Sequence, residues 1–552
     1  MPKIDVSQKD MCSLIGRKLT GEQLFDELLY AKSELDDVNG DNLKIDIKDT
    51  NRPDLWSVEG LAREIRARYK PGMPKYTIKK SGASVIVDSS VSGVRPYTVC
   101  MIAKGLKINA VIMSQLLQLQ EKISGTFGAN RKEVAIGVYD LDKIKFPVTF
   151  RALKPRDIKF VPLEHKNKMS ADEILERHQK GKEYGHLLKG KNAYPIFVDS
   201  QGEILSMPPI INSDHSGKVT ESTKDVFIEC SGFSMKFLNT ALNVMAAALH
   251  ERGCALFSVD IVYGKKILAT PDLSPKRFRV RSDYIGKVSG LSLPPKEIIS
   301  LLEKAMYEAK INGKYIDLSY PAYRSDIMHE RDVVEDILIS YGFNKIEPAA
   351  PKLPTKGSLT RKQVLLDSLA YAMLGAGFQE ILSYTLTSPD NLYAKMNTNG
   401  NAIEIEKPTS ANWSVFRTWL LPGMMEFLSR NQHIEYPHNI FEIGNCILNA
   451  NTETRSRDVQ KLAAAVSASV VNYETISSAL DAMLRNLGIS YKLKACSHPS
   501  FIEGRTAEVI IGKDIAGYIG EIHPQVLNNW GLEKPVVAFE ISLEEIFGML
   551  GR

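Results

Sequence analysis

Residues 321–346 read PAYRSDIMHERDVVEDILISYGFNKI, and the second half of this stretch has the periodicity of a short amphipathic helix. From about Asp332 to Tyr341, the residues Val333, Val334, Ile337, Leu338 and Tyr341 fall on one side at 3.6 residues per turn. Asp332, Glu335 and Asp336 fall on the other, at the three- and four-residue spacings that make helical neighbours. Asp326 lies just upstream, so four carboxylates are expected to converge near the helix start. Spacing leaves two readings open. One is a solvated acidic face whose charges suit a helix N-terminus. The other is an oxygen-only cluster sharing a hard divalent ion, Mg2+ before Zn2+, because like charges so close raise each other's pKa unless a cation sits between them.

The surrounding chain has 552 residues, which at roughly 100–200 residues per domain predicts about three or four domains. An apolar fraction of 44% and a charged fraction of 24% are those of an ordinary globular protein with several cores. A net charge of only +5 excludes a polybasic tail protein, so any nucleic-acid surface must come from local patches. Cys12, Cys100, Cys230, Cys254, Cys446 and Cys496 are scattered, without a CxxC pair or zinc-ligand spacing. They read as reduced, mostly buried thiols. The start, MPKIDVSQKDMC, has no apolar signal region and no apolar run approaches membrane-spanning length, so a cytoplasmic protein is expected.

Along the chain, TGEQ (20–23) has the capping-box pattern, and the alternation of Leu43, Ile45 and Ile47 predicts a strand. Asn51 to Asp54 reads as a turn, with Ser57 capping the next helix. Pro71 to Gly82 and Ala269 to Pro275 read as linkers, and Glu347 to Gly357 as a third, Pro-rich boundary. Between the first two lies an α+β unit with predicted helices at Ala110–Ile123 and Asn239–Glu251. Inside it, Lys154 to Lys191 reads as a Lys-rich loop with His165, His178 and His186 on its surface. Residues 208–232 read as a polar recognition loop; Asp214 and His215 are adjacent and no strand–GxSxG–helix elbow is present, which argues against a Ser–His–Asp hydrolase. After the second linker, a helix over Lys296–Lys310 and short strands predict a compact, winged-helix-like module. In the last unit a helix over Gln363–Leu374 precedes predicted strands near Ile381–Leu386, Ala402–Ile405, Ile440–Ile443, Ala507–Ile511 and Val536–Ile541.

Four motifs, taken together and in order, resemble the β subunit of phenylalanyl-tRNA synthetase in its shorter archaeal and eukaryotic form. They are NRPDLWSVEGLAREI (51–65), PPIINSDHSGKVTESTKDVFIE (208–229), YRSDIMHERDVVEDI (323–337) and KPTSANWSVFRTWLLPGMMEFLSRNQ (407–432). The resemblance is co-linear and continues through FEIGN (441–445) and GYIGEIHPQVL (517–527). It implies a multidomain α+β protein: a B1-like N-terminal α/β module (1–82), a B3/B4-like tRNA-editing module (83–270), a winged-helix-like B5 module (271–347) and a non-catalytic, class II synthetase-like antiparallel-sheet core (348–552). It implies a Mg2+ site shared with an α subunit on Asp326, Asp332, Glu335 and Asp336. It further implies an (αβ)2 heterotetramer that binds tRNA(Phe), uses ATP as substrate and touches no membrane.

Residue chemistry agrees that the last unit is not itself an aminoacylating site. A class II site needs a motif 2 arginine for the nucleotide's α-phosphate and a late arginine after a glycine-rich strand. NIFEIGN carries Phe441, Glu442 and Gly444 but no arginine, and after Ile541 only Arg552 remains. Arg417 is expected to support packing or an interface. Without cationic clamps, ATP activation belongs to the α partner. Editing has its own rationale. An apolar phenylalanine pocket discriminates against an added hydroxyl by only about 10^2, whereas a second site that hydrogen-bonds the phenol selects tyrosine. In the resembling region, Glu229 or Glu221 is expected to accept that hydroxyl, with Asn212 and Ser206 orienting the ester and a water.

Three other classes fit less well. A nucleic-acid-binding regulator built on the winged-helix-like unit needs a basic recognition helix, and the helix from Asp332 is acidic. A free-standing deacylase leaves the long synthetase-like unit without a purpose. A Mg2+ phosphotransferase lacks a nucleophile or phosphate loop beside the four acids.

Overall fold

The alternation at Leu43, Ile45 and Ile47 forms a strand in the computed structural model, which describes residues 2–550. The chain forms two compact units, Met1–Ala349 and Ala350–Arg552. In the first, β1 (Lys3–Ser7), α1 (Gln8–Ile15), α2 (Gly21–Tyr30), β2 (Ser33–Asn39), β3 (Asn42–Ile47) and α3 (Val58–Tyr69) build an antiparallel sheet of order β1-β3-β2 with its helices. Thr20 and Gln23 close the capping box on α2, and Ser57 accepts the Gly60 N–H at the start of α3. A Cβ at Gly60 would stand 1.7 Å from the Asp54 carbonyl, so only glycine lets α3 sit this close to the NRPD turn.

The next elements are β4 (Ile78–Val87), β5 (Tyr97–Lys104), α4 (Ala110–Lys122), β6 (Val134–Asp140), β7 (Val148–Leu153), β8 (Lys159–Phe160), β9 (Met169–Ser170), α5 (Ala171–Arg177) and α6 (Gln179–Tyr184). They continue with β10 (Tyr194–Val198), β11 (Ile204–Met207), β12 (Ile211–Asn212), α7 (Asp214–Gly217), β13 (Asp225–Gly232), α8 (Met235–Glu251), β14 (Ala255–Tyr263) and β15 (Lys266–Thr270). One large sheet runs β12-β11-β10-β7-β4-β14-β5-β13-β6, with β15 on β14; β4 pairs in parallel with β14 and β7. The sheet rolls until its two ends meet. Asn212 Nδ2, on β12, donates to the Val138 carbonyl of β6 at 3.4 Å, and the Tyr139 hydroxyl lies 2.7 Å from Ser206 Oγ on β11.

Two expected linkers are therefore part of this unit. Residues 78–82 belong to β4, so a boundary at 82 falls inside a strand, and Tyr76 packs edge-on against His250 and Tyr323. In the second, Thr270 ends β15, Leu273 is buried, and Asn243 donates to the Asp272 carbonyl. Lys154–Lys191 is not a loop but a folded lobe around Ile158, Phe160, Ile174 and Leu188. Within it His178 is buried, accepting the Lys180 N–H at the start of α6, while His165 and His186 are exposed.

The unit ends in β16 (Lys276–Arg281), α9 (Ser282–Ser289), α10 (Pro295–Lys304), β17 (Glu308–Asn312), β18 (Tyr315–Tyr320) and α11 (Glu330–Tyr341), with an antiparallel sheet of order β16-β18-β17. The helix expected to reach Lys310 stops at Lys304. Met306 takes a φ of 62°, and the residues beyond it pair with β18 instead. The second unit opens on α12 (Arg361–Gly375). Its main sheet runs Gln379–Glu380, His438–Asn449, Ser456–Ser467, Val536–Ser542, Asp514–Ile522, Phe501–Ile511, Tyr491–Ala495, antiparallel except for the first pair. α12 and the helix Tyr473–Asn486 bury one face, and the helix Leu421–Arg430 buries the other. The strand expected at Ala402–Ile405 is reduced to a single bridge between Glu404 and Val415.

Candidate functional site

Strand alternation places the site. On β13, Val226, Ile228 and Cys230 face the core that contains α8, while Phe227 packs in the core on the other side and Glu229 shares that face. Glu229 is paired across to Cys100 on β5 and to Gly137 on β6. A Cβ at Gly137 would lie 2.3 Å from the Tyr139 hydroxyl and 2.7 Å from Glu229 Oε1, so the glycine keeps this space open. The Tyr139 hydroxyl stands 2.7 Å from Ser206 Oγ, 3.2 Å from Glu229 Oε1 and 3.4 Å from Asn212 Oδ1. Glu229 lines a cavity of about 430 Å3 whose walls include Leu116, Ile136, Val138, Pro209 and Val219. Among the described residues its buried Oε2 has no hydrogen-bond partner. Burial pushes the Glu229 carboxyl up to about 8, against the opposing pull of the Arg95 charge and of hydrogen bonding from Tyr139 and Ser231.

The rolled sheet thus brings Ser206, Asn212 and Glu229 together around one phenol. Glu221 is not among them. It is exposed in the turn before β13, where the Thr220 N–H is held by Thr223 Oγ1, and it does not line the cavity. Tyr139, Gly137 and the buried Arg95 were not anticipated. A glycine inside the apolar run VAIGVYD was the available signal, since a mid-strand glycine marks a close approach.

The four acids of the opening stretch do not converge, and the reason is Arg324. Its buried guanidinium forks onto Asp326, with Nε 2.8 Å from Oδ1, and Nη2 donates to Asp336 Oδ2 at 2.8 Å. The Tyr307 hydroxyl adds a 2.6 Å bond to Asp336. Asp332 turns instead to the helix start, its Oδ2 accepting the N–H groups of Met328 and His329 at 2.7 and 2.6 Å. Glu335 is exposed, 3.5 Å from Lys32 Nζ. Among the described residues no three His, Cys, Asp or Glu side chains gather as a metal-holding group. Oxygens already committed to a guanidinium and to backbone N–H groups do not fit Mg2+. Arg324 stands two residues before Asp326, as Arg52 stands before Asp54, and Arg52 makes the same fork onto Asp54 at 2.9 and 2.8 Å. Arg52 also holds Glu64 at 2.9 Å, and Ser325 Oγ donates to the Asn51 carbonyl. Burial acts against ionisation of Asp326, yet Arg324 and Arg52 hold its carboxyl well below the usual carboxylate range.

Family models match three consecutive regions: the B3/4 domain over residues 108–263, the tRNA synthetase B5 domain over 278–343, and the phenylalanyl tRNA synthetase beta chain CLM domain over 346–543. The phenylalanine–tRNA ligase beta subunit of Pyrococcus horikoshii is 48% identical over 99% of this chain and 100% of its own length. The chain belongs to the phenylalanine–tRNA ligase beta-subunit family. The beta subunit of Thermococcus onnurineus is 45% identical, over 99% of both chains. Among solved structures, an N-terminal fragment of the phenylalanyl-tRNA synthetase beta subunit from Pyrococcus horikoshii matches with a TM-score of 0.61 and 52% identity, covering 62% of this chain and all of the fragment. This chain is accordingly a subunit of an aminoacyl-tRNA synthetase, the ligase that joins phenylalanine to its tRNA with ATP.

In the CLM region of this beta-family chain, Arg417, which reaches the expected motif 2 strand, is already engaged. Arg417 donates to Glu442 Oε1 at 2.6 Å, to Ser383 Oγ at 2.8 Å and to the Asn445 carbonyl at 2.8 Å. It braces strands, as expected. Arg457 reaches a second cavity, of about 660 Å3, but pairs with Glu544 at 3.2 Å; Lys461 there pairs with Glu540 at 2.9 Å. Arg552 lies outside the described residues. Among the described residues no helix is long and apolar enough to cross a membrane.

Proposed function

We propose that this chain is the editing subunit of the ligase, hydrolysing tyrosine wrongly attached to tRNA(Phe), while a partner α subunit carries aminoacylation. One observation carries the reading: a buried carboxyl, Glu229, lines an aromatic-sized cavity with one oxygen unpartnered. A tyrosine side chain entering that cavity brings a phenolic hydroxyl that satisfies Oε2; phenylalanine leaves it unpaired. Asn212, which lines the cavity, and Ser206, which meets Tyr139 beside it, are assigned to orient the ester and a water. Loss of Tyr-tRNA(Phe) hydrolysis in the assembled ligase carrying Asn212→Ala or Glu229→Ala, with phenylalanine charging intact, is the expected result. Hydrolysis retained in both variants would remove the assignment.

The remaining architecture fits a supporting subunit. Residues 276–341, with three helices and a three-stranded antiparallel sheet, are read as a winged-helix-like B5 module. The antiparallel sheet of the second unit is read as a class II synthetase-like core without catalytic arginines. We place the module limits near 77, 270 and 347, the first moved to clear β4. The second unit also supplies a surface for the α subunit: Val364, Tyr371 and Leu374 on α12, with Leu382 and Tyr384, are exposed apolar side chains, Tyr371 72% and Leu382 84%. Pairing of two such heterodimers gives the proposed (αβ)2 assembly, acting in the cytoplasm with tRNA(Phe) and ATP. Mg2+ has no part in this reading, because Arg324 occupies Asp326 and Asp336 while Asp332 accepts backbone N–H groups.

A further inference from the structure

Arg95 is a buried cation whose hydrogen bonds all end on uncharged oxygens. Nε donates to Ser231 Oγ at 3.1 Å, Nη1 to the Lys132 carbonyl at 3.1 Å, and Nη2 to the Arg131 and Ser231 carbonyls at 3.1 and 2.5 Å. It is 2% exposed. Burying a guanidinium without a bonded carboxylate is unfavourable, so its retention calls for a reason in its surroundings. Two surroundings are informative. Ser231 lies two residues beyond Glu229 on β13 and so shares its face of the sheet. Arg131 ends a run of three non-glycine residues in the left-handed region, Ala129, Asn130 and Arg131 at φ of 51°, 53° and 64°. L-residues hold such a run only where neighbours fix it. The Arg131 side chain then donates to the Pro209 and Ile210 carbonyls at 3.3 and 3.0 Å and to Glu121 on α4 at 2.8 Å, bracing the far wall of the cavity.

We propose that Arg95 is a positioning residue of the editing pocket: it clamps the strand that carries Glu229 to the turn that braces the opposite wall, and supplies the positive charge that Glu229 feels. The proposal rests on the editing reading above. The groups around Glu229 leave that charge without a competitor. Tyr139 from β6, Cys100 from β5 and Cys230 on β13 are all pushed up by burial and stay neutral; Ser206 and Asn212 do not titrate. Glu133, before β6, acts on Arg95. The Arg95 charge is the strongest pull against burial on the Glu229 carboxyl.

The test uses the assembled ligase and Tyr-tRNA(Phe), with hydrolysis followed across neutral and mildly alkaline pH for the wild type, Glu229→Gln, Arg95→Met, Arg95→Lys and Ser231→Ala. The wild-type profile is expected to inflect near 8 and Glu229→Gln to lose the inflection. Arg95→Met moves the inflection to higher pH. Arg95→Lys loses the forked hydrogen bonds to Ser231 and to the 131–132 carbonyls, and Ser231→Ala keeps the Arg95 charge but loses part of the clamp. In both, hydrolysis falls roughly tenfold to a hundredfold, and in Ser231→Ala the inflection moves up by less than in Arg95→Met, because only a hydrogen bond to the Glu229 carboxyl is lost. Phenylalanine charging is unchanged throughout. An Arg95→Met profile that is lower but not displaced means ordinary structural support and overturns the proposal, as does full hydrolysis in all three clamp variants. Should Arg95→Met not fold, the Lys and Ser231 variants decide. A wild type that does not hydrolyse Tyr-tRNA(Phe) removes the editing reading instead. The charge coupling is then read from the thermal midpoint against pH, where Arg95→Met must displace the Glu229-dependent slope.

Discussion

Between the ordinary carboxylate range and about pH 8, Glu229 of the folded chain keeps a proton that the unfolded chain releases. Below that window both states are protonated and the residue has no effect on stability. As pH rises through it, folding stability falls, and above the folded value the loss is complete. Glu229→Gln has no such slope. It is expected to match the wild type under acid conditions and to exceed it by up to a few kcal/mol in mildly alkaline buffer. Melting curves at the two pH extremes check this, and equal slopes in both proteins would mean that Glu229 titrates normally. A carboxyl kept at a loss of stability, in a cavity, points to function. At this scale the sequence was half legible. Glu221 and Glu229 are both acids in one segment, and alternation along β13 gives Glu229 a face with Phe227 and Ser231. Which face bears a cavity depends on β6 meeting β12, a contact between segments far apart in the chain.

At the scale of elements, α11 was read correctly as an amphipathic helix, because its apolar spacing and N-terminal acids are local properties. Its acids were read without Arg324, though the arginine stands in the same motif, because a helical projection starts where the helix does. The paired Arg–x–Asp turns form a buried network in which Arg52 Nε also lies 3.9 Å from Asp326 Oδ1. Removing one partner of such a network leaves charge uncompensated, at a cost of about 3–5 kcal/mol. Arg324→Met is therefore expected to lower the stability of the first unit by that order. Asp326 adds an acid dependence: its lowered folded pKa contributes stability above the ordinary carboxylate range that is lost as pH falls. In contrast, adding Mg2+ or a chelator to this chain alone is expected to leave its thermal midpoint in place. A Mg2+-dependent rise in the midpoint would show that the carboxylates release Arg324 for a cation. The misread linkers have a similar origin. Pro, Gly and Lys in residues 71–82 look like spacer, yet Tyr76 finds His250 and Tyr323, partners remote in sequence.

For the whole molecule, the question is why a chain of this length keeps a synthetase-related unit whose Arg417 is spent on bracing strands. A second unit with one face of its sheet under α12 and the helix Tyr473–Asn486, and the other under Leu421–Arg430, has satisfied its own cores. What it leaves exposed is then informative. On α12, Leu369 and Met373 are buried while Val364 and Tyr371, on other sides of the same helix, are open to solvent. A helix apolar on more than one side is built to be covered twice. Leu382 and Tyr384 are exposed as well, Tyr384 packing edge-on against Trp413. Charged substitutions at exposed positions leave an isolated fold within about 0.5 kcal/mol, whereas a charge in an interface core is left desolvated and unpaired. Tyr371→Glu and Leu382→Glu are therefore expected to leave this chain folded with an unchanged thermal midpoint. Both should weaken co-purification with an α subunit and lower phenylalanine charging in proportion. Charging should need both chains, because Arg417 is already bound to Glu442 and Arg457 to Glu544. Full association of both variants would move the docking surface elsewhere, and charging by this chain alone would mean that its second cavity activates ATP without the arginines such chemistry requires.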